Sequence, residues 1–312
     1  VSINILFCVD GRFWQHVGVA IASLLTHNPQ NTFRIVIATA DEINEEMADQ
    51  IKALARRFGN ATVEVTQYRA LDHREALPTH SHLTFAAYLR LFMTEFLDPS
   101  IDKLIYLDSD VLVVSDISEL WQMELGEAYV GAALEPYDRA QRDPLGFGPK
   151  DPYFNSGVML INLAKWRAEN VIPRFFDFAG LNRDKLHSPD QDVINSVFRG
   201  HILNIGYEWN WQALFVRFLP SQLNMSDEQY ARLKRSPRLV HYTSGYKPWY
   251  YRWEPHYKSF YYQALAKTPW SGYVPPDRNL KNTPKKAVKV LQRMLEWHFP
   301  PLARKLRTLR AK

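Results

Sequence analysis

Lys103-Leu104-Ile105-Tyr106-Leu107-Asp108-Ser109-Asp110 is the stretch on which the fold turns. Its first five residues read as a buried strand, and they run without a turn into two carboxylates. Toward the N-terminus, β-branched runs at 3–9, 33–38 and 61–66 alternate with helical patterns near 13–26, 42–58 and 84–96. That alternation predicts βαβ units, and so an α/β domain with a mostly parallel central sheet that binds ligands at the carboxyl ends of its strands. Asp108 and Asp110 then emerge at the ligand edge.

Toward the C-terminus come a strand-like Ala128 to Leu134, a turn-rich segment from Glu135 to Pro152 with four prolines, and the apolar run Asn155 to Asn162. The proline-rich segment reads either as a substrate loop or lid, or as a solvated connection. Ser188-Pro189-Asp190 reads as a helix start, with Val193, Ile194 and Val197 on the apolar face. No internal repeat or low-complexity segment is present.

With 312 residues, 46% hydrophobic and 23% charged, the chain has ample material for a buried core. Its longest apolar stretches, such as Val17 to Leu25, are shorter than the roughly 20 residues that span a bilayer. The chain opens on the strand-like Ile3 to Val9 with no secretory leader pattern, so a cytoplasmic location is expected. Cys8, the single cysteine, cannot form an internal disulfide and reads as a small core residue. Lys281 to Lys312 carries +9 of the net +5, leaving −4 for residues 1–280. A body without a basic excess argues against a nucleic-acid partner.

Two carboxylates one residue apart can coordinate one hard divalent cation, the kind that neutralises a nucleotide diphosphate and its leaving group. An Asp-x-Asp triplet alone also fits a solvated turn; its place after an apolar strand favours the site. His241-Tyr242-Thr243-Ser244-Gly245-Tyr246-Lys247-Pro248-Trp249 follows a second apolar strand, Leu239-Val240. A neutral His241 can be a third metal ligand and Lys247 can balance diphosphate charge, although a histidine at a strand end can equally be structural. Asp190-Gln191-Asp192 suits the positive end of a helix, and it also places a neutral amide where an oxocarbenium-like centre could be stabilised.

Taken together these segments resemble glycosyltransferase family 8, particularly bacterial lipopolysaccharide galactosyl- and glucosyltransferases. The likeness runs from about Ile3 to Trp249 through Phe7-Cys8-Val9-Asp10, Tyr88-Leu89-Arg90-Leu91, Leu104 to Val113, Phe154 to Leu163, Asp190-Gln191-Asp192 and His241 to Trp249. It implies a GT-A-type nucleotide-sugar-binding fold, a UDP-galactose or UDP-glucose donor, Mn²⁺ (or Mg²⁺), and transfer with retention. It further implies Asp108, Asp110 and His241 as metal ligands, and Cys8 and Asp10 at the uracil and ribose. Arg90, Asn155, Asp190 and Gln191 then surround the donor sugar, with Gln191 and Asp190 as catalytic candidates and Ser109, Ser244, Gly245 and Lys247 at the diphosphate. Two positions depart from the pattern. Ser244 stands where several members carry glycine, with Gly245 one residue later, and Gly11-Arg12 replaces an Asp-Asn-like pair.

The expected division is a catalytic domain over 1–250, an aromatic-rich connection over 251–280, and a basic amphipathic helical tail over 281–312. In the tail, Ala287, Val290, Leu291, Met294 and Leu295 oppose Lys285, Lys286, Lys289 and Arg293; beyond Pro300-Pro301, Leu302, Leu306 and Leu309 oppose Arg304, Lys305, Arg307 and Arg310. Such helices bind anionic membranes or pack on a core. The membrane reading fits a lipid-linked glycan acceptor and predicts a peripheral location on the inner face of the cytoplasmic membrane. The aromatics from Trp249 to Tyr262 read either as hinge and acceptor surface or as packing beneath the tail. Two competing functions fit the sequence less well: the glycine-rich loop of a sugar-nucleotide pyrophosphorylase is absent here, and a non-catalytic glycan- or membrane-binding protein leaves the acid pair, His241 and Gln191 without a purpose.

Overall fold

The computed structural model describes residues 2–69, 85–136 and 142–310. Strands β1 (Ser2–Val9), β2 (Thr32–Thr39), β3 (Ala61–Gln67), β4 (Lys103–Leu107), β6 (Val130–Leu134), β7 (Phe154–Asn162) and β8 (Ile202–Asn204) form a seven-stranded sheet ordered β3-β2-β1-β4-β7-β6-β8. Pairs β3/β2, β2/β1, β1/β4 and β6/β8 are parallel, and β7 alone runs against both neighbours. The expected mostly parallel sheet is therefore present. Strands β1 and β4 are apolar nearly throughout because both faces of the sheet are covered.

The helix Trp14–His27 is buried at eleven of its fourteen positions. It lies between the main sheet and a second, three-stranded sheet of β5 (Val111–Val113), β10 (Leu239–His241) and β9 (Trp211–Gln212). By contrast Glu45–Phe58 is a surface helix that buries Ala48, Ile51, Leu54 and Ala55. It starts where the Asn44 side chain accepts from Met47 N, and ends at Gly59, whose φ of 80° only glycine adopts cheaply.

The helix expected over 84–96 is instead a 3₁₀ helix, Phe85–Leu91, and a single α turn, Met93–Phe96; Thr84 lies outside the described residues. Tyr88 through Met93 are all buried, Arg90 included, so the segment has no solvent face for an amphipathic α-helix to present.

The aromatic connection packs into the core. Trp249 stacks on His16 with ring centres 3.7 Å apart, Tyr261 Oη and His16 Nδ1 are 2.8 Å apart, and Trp211 Nε1 donates to Tyr257 Oη at 2.9 Å. Of its two readings, packing accounts for these three aromatics.

The tail forms two helices, Thr283–His298 and Pro300–Arg310, and its first helix lies on the body in the reverse of the usual sense. Lys286 and Arg293 face inward to Glu254, while Val288, Leu291 and Met294 are about half exposed. Its one acid, Glu296, is buried between Arg217, Arg307 and His256. No described helix is long and apolar enough to cross a membrane.

Candidate active site

The main sheet releases the chain at Leu107 and the small sheet takes it up at Val111, so Asp108-Ser109-Asp110 is the crossing between two sheets. Its backbone is pinned from both sides: Asp108 N donates to Gly157 O at 2.8 Å, and Tyr242 N donates to Asp110 O at 3.1 Å. His241 ends β10 opposite Val111, which brings the imidazole to the two acids. Its Nε2 is 3.2 Å from Asp110 Oδ1 and 3.7 Å from Asp108 Oδ2. One ligand atom from each of the three residues lies within 4.8 Å of the others, a set of two oxygens and a nitrogen that suits a divalent cation.

Three observations test that fit. First, a Cβ on Gly157 would stand 2.1 Å from His241 Cε1 and 2.7 Å from Asp108 Oδ2, so only glycine lets β7 pass this close. Second, Asp110 Oδ1 is buried without a hydrogen-bond partner. Third, a chain of side chains fixes the tautomer of His241. The Glu135 carboxylate can only accept, so Asn155 turns its Nδ2 to Glu135 Oε2 at 2.9 Å. Asn155 Oδ1 then accepts from Gly157 N at 3.0 Å and from Asn210 Nδ2 at 2.8 Å. Asn210 is thereby left with Oδ1 toward His241 Nδ1 at 2.9 Å, which places the proton on Nδ1. Nε2 then faces Asp110 Oδ1 at 3.2 Å, the side on which a neutral ring would offer a cation its second nitrogen.

Asp108 is held by its other oxygen. Tyr106 Oη donates to Oδ1 at 2.7 Å and Arg90 Nη2 at 2.8 Å, which leaves Oδ2 toward His241. Arg90 is buried over the Tyr106 ring and also pairs with Asp190 Oδ2 at 3.1 Å. Burial raises the pKa of Asp190, and Arg90 opposes it. At Asp110 burial again favours the neutral acid, but Lys247 and His241 prevail and hold the pKa below the ordinary carboxylate value. Lys247 Nζ donates to Asp110 Oδ2 and to Tyr242 O. Gln191 Oε1 accepts from Ser156 N at 3.0 Å, which ties the start of the Pro189–Val197 helix to β7.

These groups open on a cleft of about 690 Å³. Of the residues expected at the site, Arg90, Asp108, Asp110, Asn155, Asp190, Gln191, His241 and Ser244 line it. Ser244, the glycine-replacing residue, lies in the wall, whereas Gly245 is exposed beside it. Cys8, Asp10, Ser109, Gly245 and Lys247 are not among its lining residues. Cys8 and Asp10 stand at the carboxyl end of β1, the strand beside β4. Burial pushes the Cys8 thiol up to about 12, with Arg90 opposing, so it stays protonated. Asp10 accepts from Arg12 N at 3.0 Å and Arg12 Nη2 at 3.2 Å, so the departure at Arg12 engages Asp10 itself.

Glu135, Tyr106, Asn210 and Gln212 also belong to the site, and nothing local in the sequence marks them: Glu135 opens the turn-rich segment, Tyr106 reads as part of an apolar strand, and Asn210 and Gln212 lie in a stretch without periodicity. Gly157 carried the one usable signal, a glycine inside an apolar strand.

An α/β sheet whose central strand delivers paired acids to an open polar cleft, where a histidine from a second small sheet meets them, is the arrangement of a GT-A glycosyltransferase. Known proteins agree. Residues 4–252 match the family model for glycosyl transferase family 8, and the chain belongs to that family. It is similar to general stress protein A of Bacillus subtilis (strain 168), 28% identical over 86% of this chain and 94% of that protein. Lipopolysaccharide 1,2-glucosyltransferase of Escherichia coli (strain K12) is 31% identical over 88% of this chain and 81% of that protein. The crystal structure of galactosyltransferase LgtC in complex with donor and acceptor sugar analogues shares the fold, with a TM-score of 0.75, 24% identity, and coverage of 88% of this chain and 98% of that one.

Proposed function

We propose that the protein transfers galactose or glucose, with retention, from a UDP-sugar onto a lipopolysaccharide or related glycan acceptor. The observation that carries this reading is the meeting of Asp108 Oδ2, Asp110 Oδ1 and Nε2 of His241 around space that Gly157 keeps open. A Mn²⁺ or Mg²⁺ ion held there would neutralise the diphosphate and stabilise the departing UDP. Lys247 and Ser244 are assigned to the diphosphate, and Cys8 and Asp10 to the uracil and ribose. Arg90, Asn155 and Asp190 orient the donor sugar. Gln191, whose carbonyl oxygen is fixed by Ser156 N–H, supplies a neutral dipole at the reacting centre without forming a charged adduct.

The tail is assigned to the inner face of the cytoplasmic membrane. Support comes from its outward apolar row Val288, Leu291, Met294, Phe299, Leu302 and Leu306, all at least two-fifths exposed, together with the exposed Lys281, Lys285 and Lys305.

The test is UDP release from UDP-galactose and UDP-glucose separately, with Mn²⁺ or with EDTA, for the wild type and Asp110→Ala. Release that requires metal and is abolished in the variant is expected, and the faster donor identifies the sugar. No turnover and no UDP binding with either donor would replace the reading with a non-catalytic glycan-binding role.

A further inference from the structure

Beside the donor cleft lies a second cavity of about 200 Å³, and the two share Leu214, Thr243 and Ser244 in their walls. One side is the histidine loop and the other is the inward face of the tail helix Thr283–His298. Ser244, assigned to the diphosphate, belongs to the wall the two cavities share; the other residues lining this cavity have no proposed contact with the donor.

Its chemistry is specific. Tyr246 and Trp253 meet edge to face at 4.5 Å between ring centres. Both rings line the cavity, and Tyr246 is 38% exposed, so an apolar surface is offered to the C–H face of a sugar ring. Around them stand Arg217, Lys289, Arg293 and Arg307, against only two carboxylates, Glu254 and Glu296. Both acids are already committed, Glu254 to Lys258, Lys286 and Arg293, and Glu296 to Arg217, Arg307 and His256. The wall therefore carries a positive excess. Arg217 spends its Nε on Glu296; its two terminal nitrogens have no other hydrogen bond among the described residues, and its Cζ lies 5.7 Å from the Tyr246 ring centre. Lys289 Nζ lies 5.9 and 5.3 Å from the ring centres of Tyr246 and Trp253.

The geometry points to this cavity as the acceptor subsite, built to hold a sugar that bears an anionic group, with Tyr246 and Trp253 under the ring and Arg217 and Lys289 on the charge. The inference rests on the glycosyltransferase reading above and extends it: part of the acceptor site belongs to the tail. An arginine fork favours phosphate or carboxylate over a neutral hydroxyl, and the aromatic pair favours a ring over a bare anion.

The test uses the full chain with UDP and Mg²⁺ present to fill the donor cleft, and reads binding of glucose, glucose 6-phosphate, glucuronate and inorganic phosphate by saturation-transfer NMR. Glucose 6-phosphate or glucuronate should bind about tenfold more tightly than glucose and than inorganic phosphate. Lys289→Glu, with an unchanged melting temperature, should remove that preference, and Trp253→Ala should weaken the sugar esters without changing their order. The tighter of the two charged sugars identifies the anion as phosphate or carboxylate. Equal binding of glucose and both charged sugars, or a preference that survives Lys289→Glu, overturns the subsite. UDP that binds in the same experiment keeps the donor reading intact even then, whereas failure of UDP to bind sinks the donor reading instead.

Discussion

Asp110 in the cleft and Glu296 in the tail are both buried carboxylates held by cations, and both have pKa values below the usual range, burial opposing and their partners prevailing. They differ in what is left over. Arg217, Arg307 and His256 occupy both oxygens of Glu296. Lys247 takes one oxygen of Asp110, and the other is buried facing His241 Nε2 without a hydrogen-bond partner. A saturated carboxylate holds structure together. One that keeps an unused oxygen beside a polar cleft is arranged for something that arrives.

The sharpest way to break this contrast is Asp110→Ala. It should lower metal-dependent UDP release by roughly 10² to 10³-fold, the effect of losing a group that acts on developing charge. If the loss is only a few-fold, Asp110 is structural like Glu296 and the contrast fails.

Glu296→Gln should act on stability. Removing one partner of a buried pair costs several kcal/mol; because Arg217 and Arg307 are each about a third exposed, a discounted loss of roughly 2 kcal/mol is expected, read as a lower melting temperature. The sign of its pH dependence is fixed. The folded pKa of Glu296 lies below the ordinary 4.5, so its stabilisation is complete above that value and is lost as pH falls through the lower folded one. His256, pushed below 6.5 first by burial, works in the same direction, since the unfolded chain takes up a proton there before the folded chain does. Melting curves of wild type and Glu296→Gln should therefore stay apart from neutral pH down to about 4.5 and converge only below it.

Asn210→Ala sharpens the contrast from the side of His241. Without an acceptor at Nδ1 the imidazole is free to turn or change tautomer, and metal affinity should fall about 10- to 100-fold. Asn210→Asp keeps the acceptor and should recover part of that loss. Metal titration distinguishes this from a stability effect, because a purely structural Asn210 would lower the melting temperature and leave affinity in the folded fraction unchanged.

The smallest effect belongs to the tail's outer face. Leu291→Ser or Lys285→Glu should weaken binding to vesicles of anionic lipid by a few-fold each, about 1 kcal/mol per residue, with little change in melting temperature. Binding that ignores both variants and the anionic lipid content removes the membrane assignment.

The sequence alone determined the class of fold and the order of its parts. Apolar runs with strand spacing, helical patterns between them and acids at the end of β4 depend on local periodicity, which a single chain displays without its partners. Asp108, Asp110 and His241 were legible as candidates for the same reason, since each follows an apolar strand; that their strands belong to two sheets which meet here was not. Only the tertiary structure decided what closes the site. Glu135, Asn155, Asn210 and His241 lie far apart along the chain, and their donor and acceptor order exists only once four separate segments meet in one buried volume. It also decided the posture of the tail. An amphipathic pattern names two faces, but which one turns inward depends on what the body offers, and here the buried acid Glu254 and the rings of Tyr246 and Trp253 draw the basic face in and leave the apolar one outside.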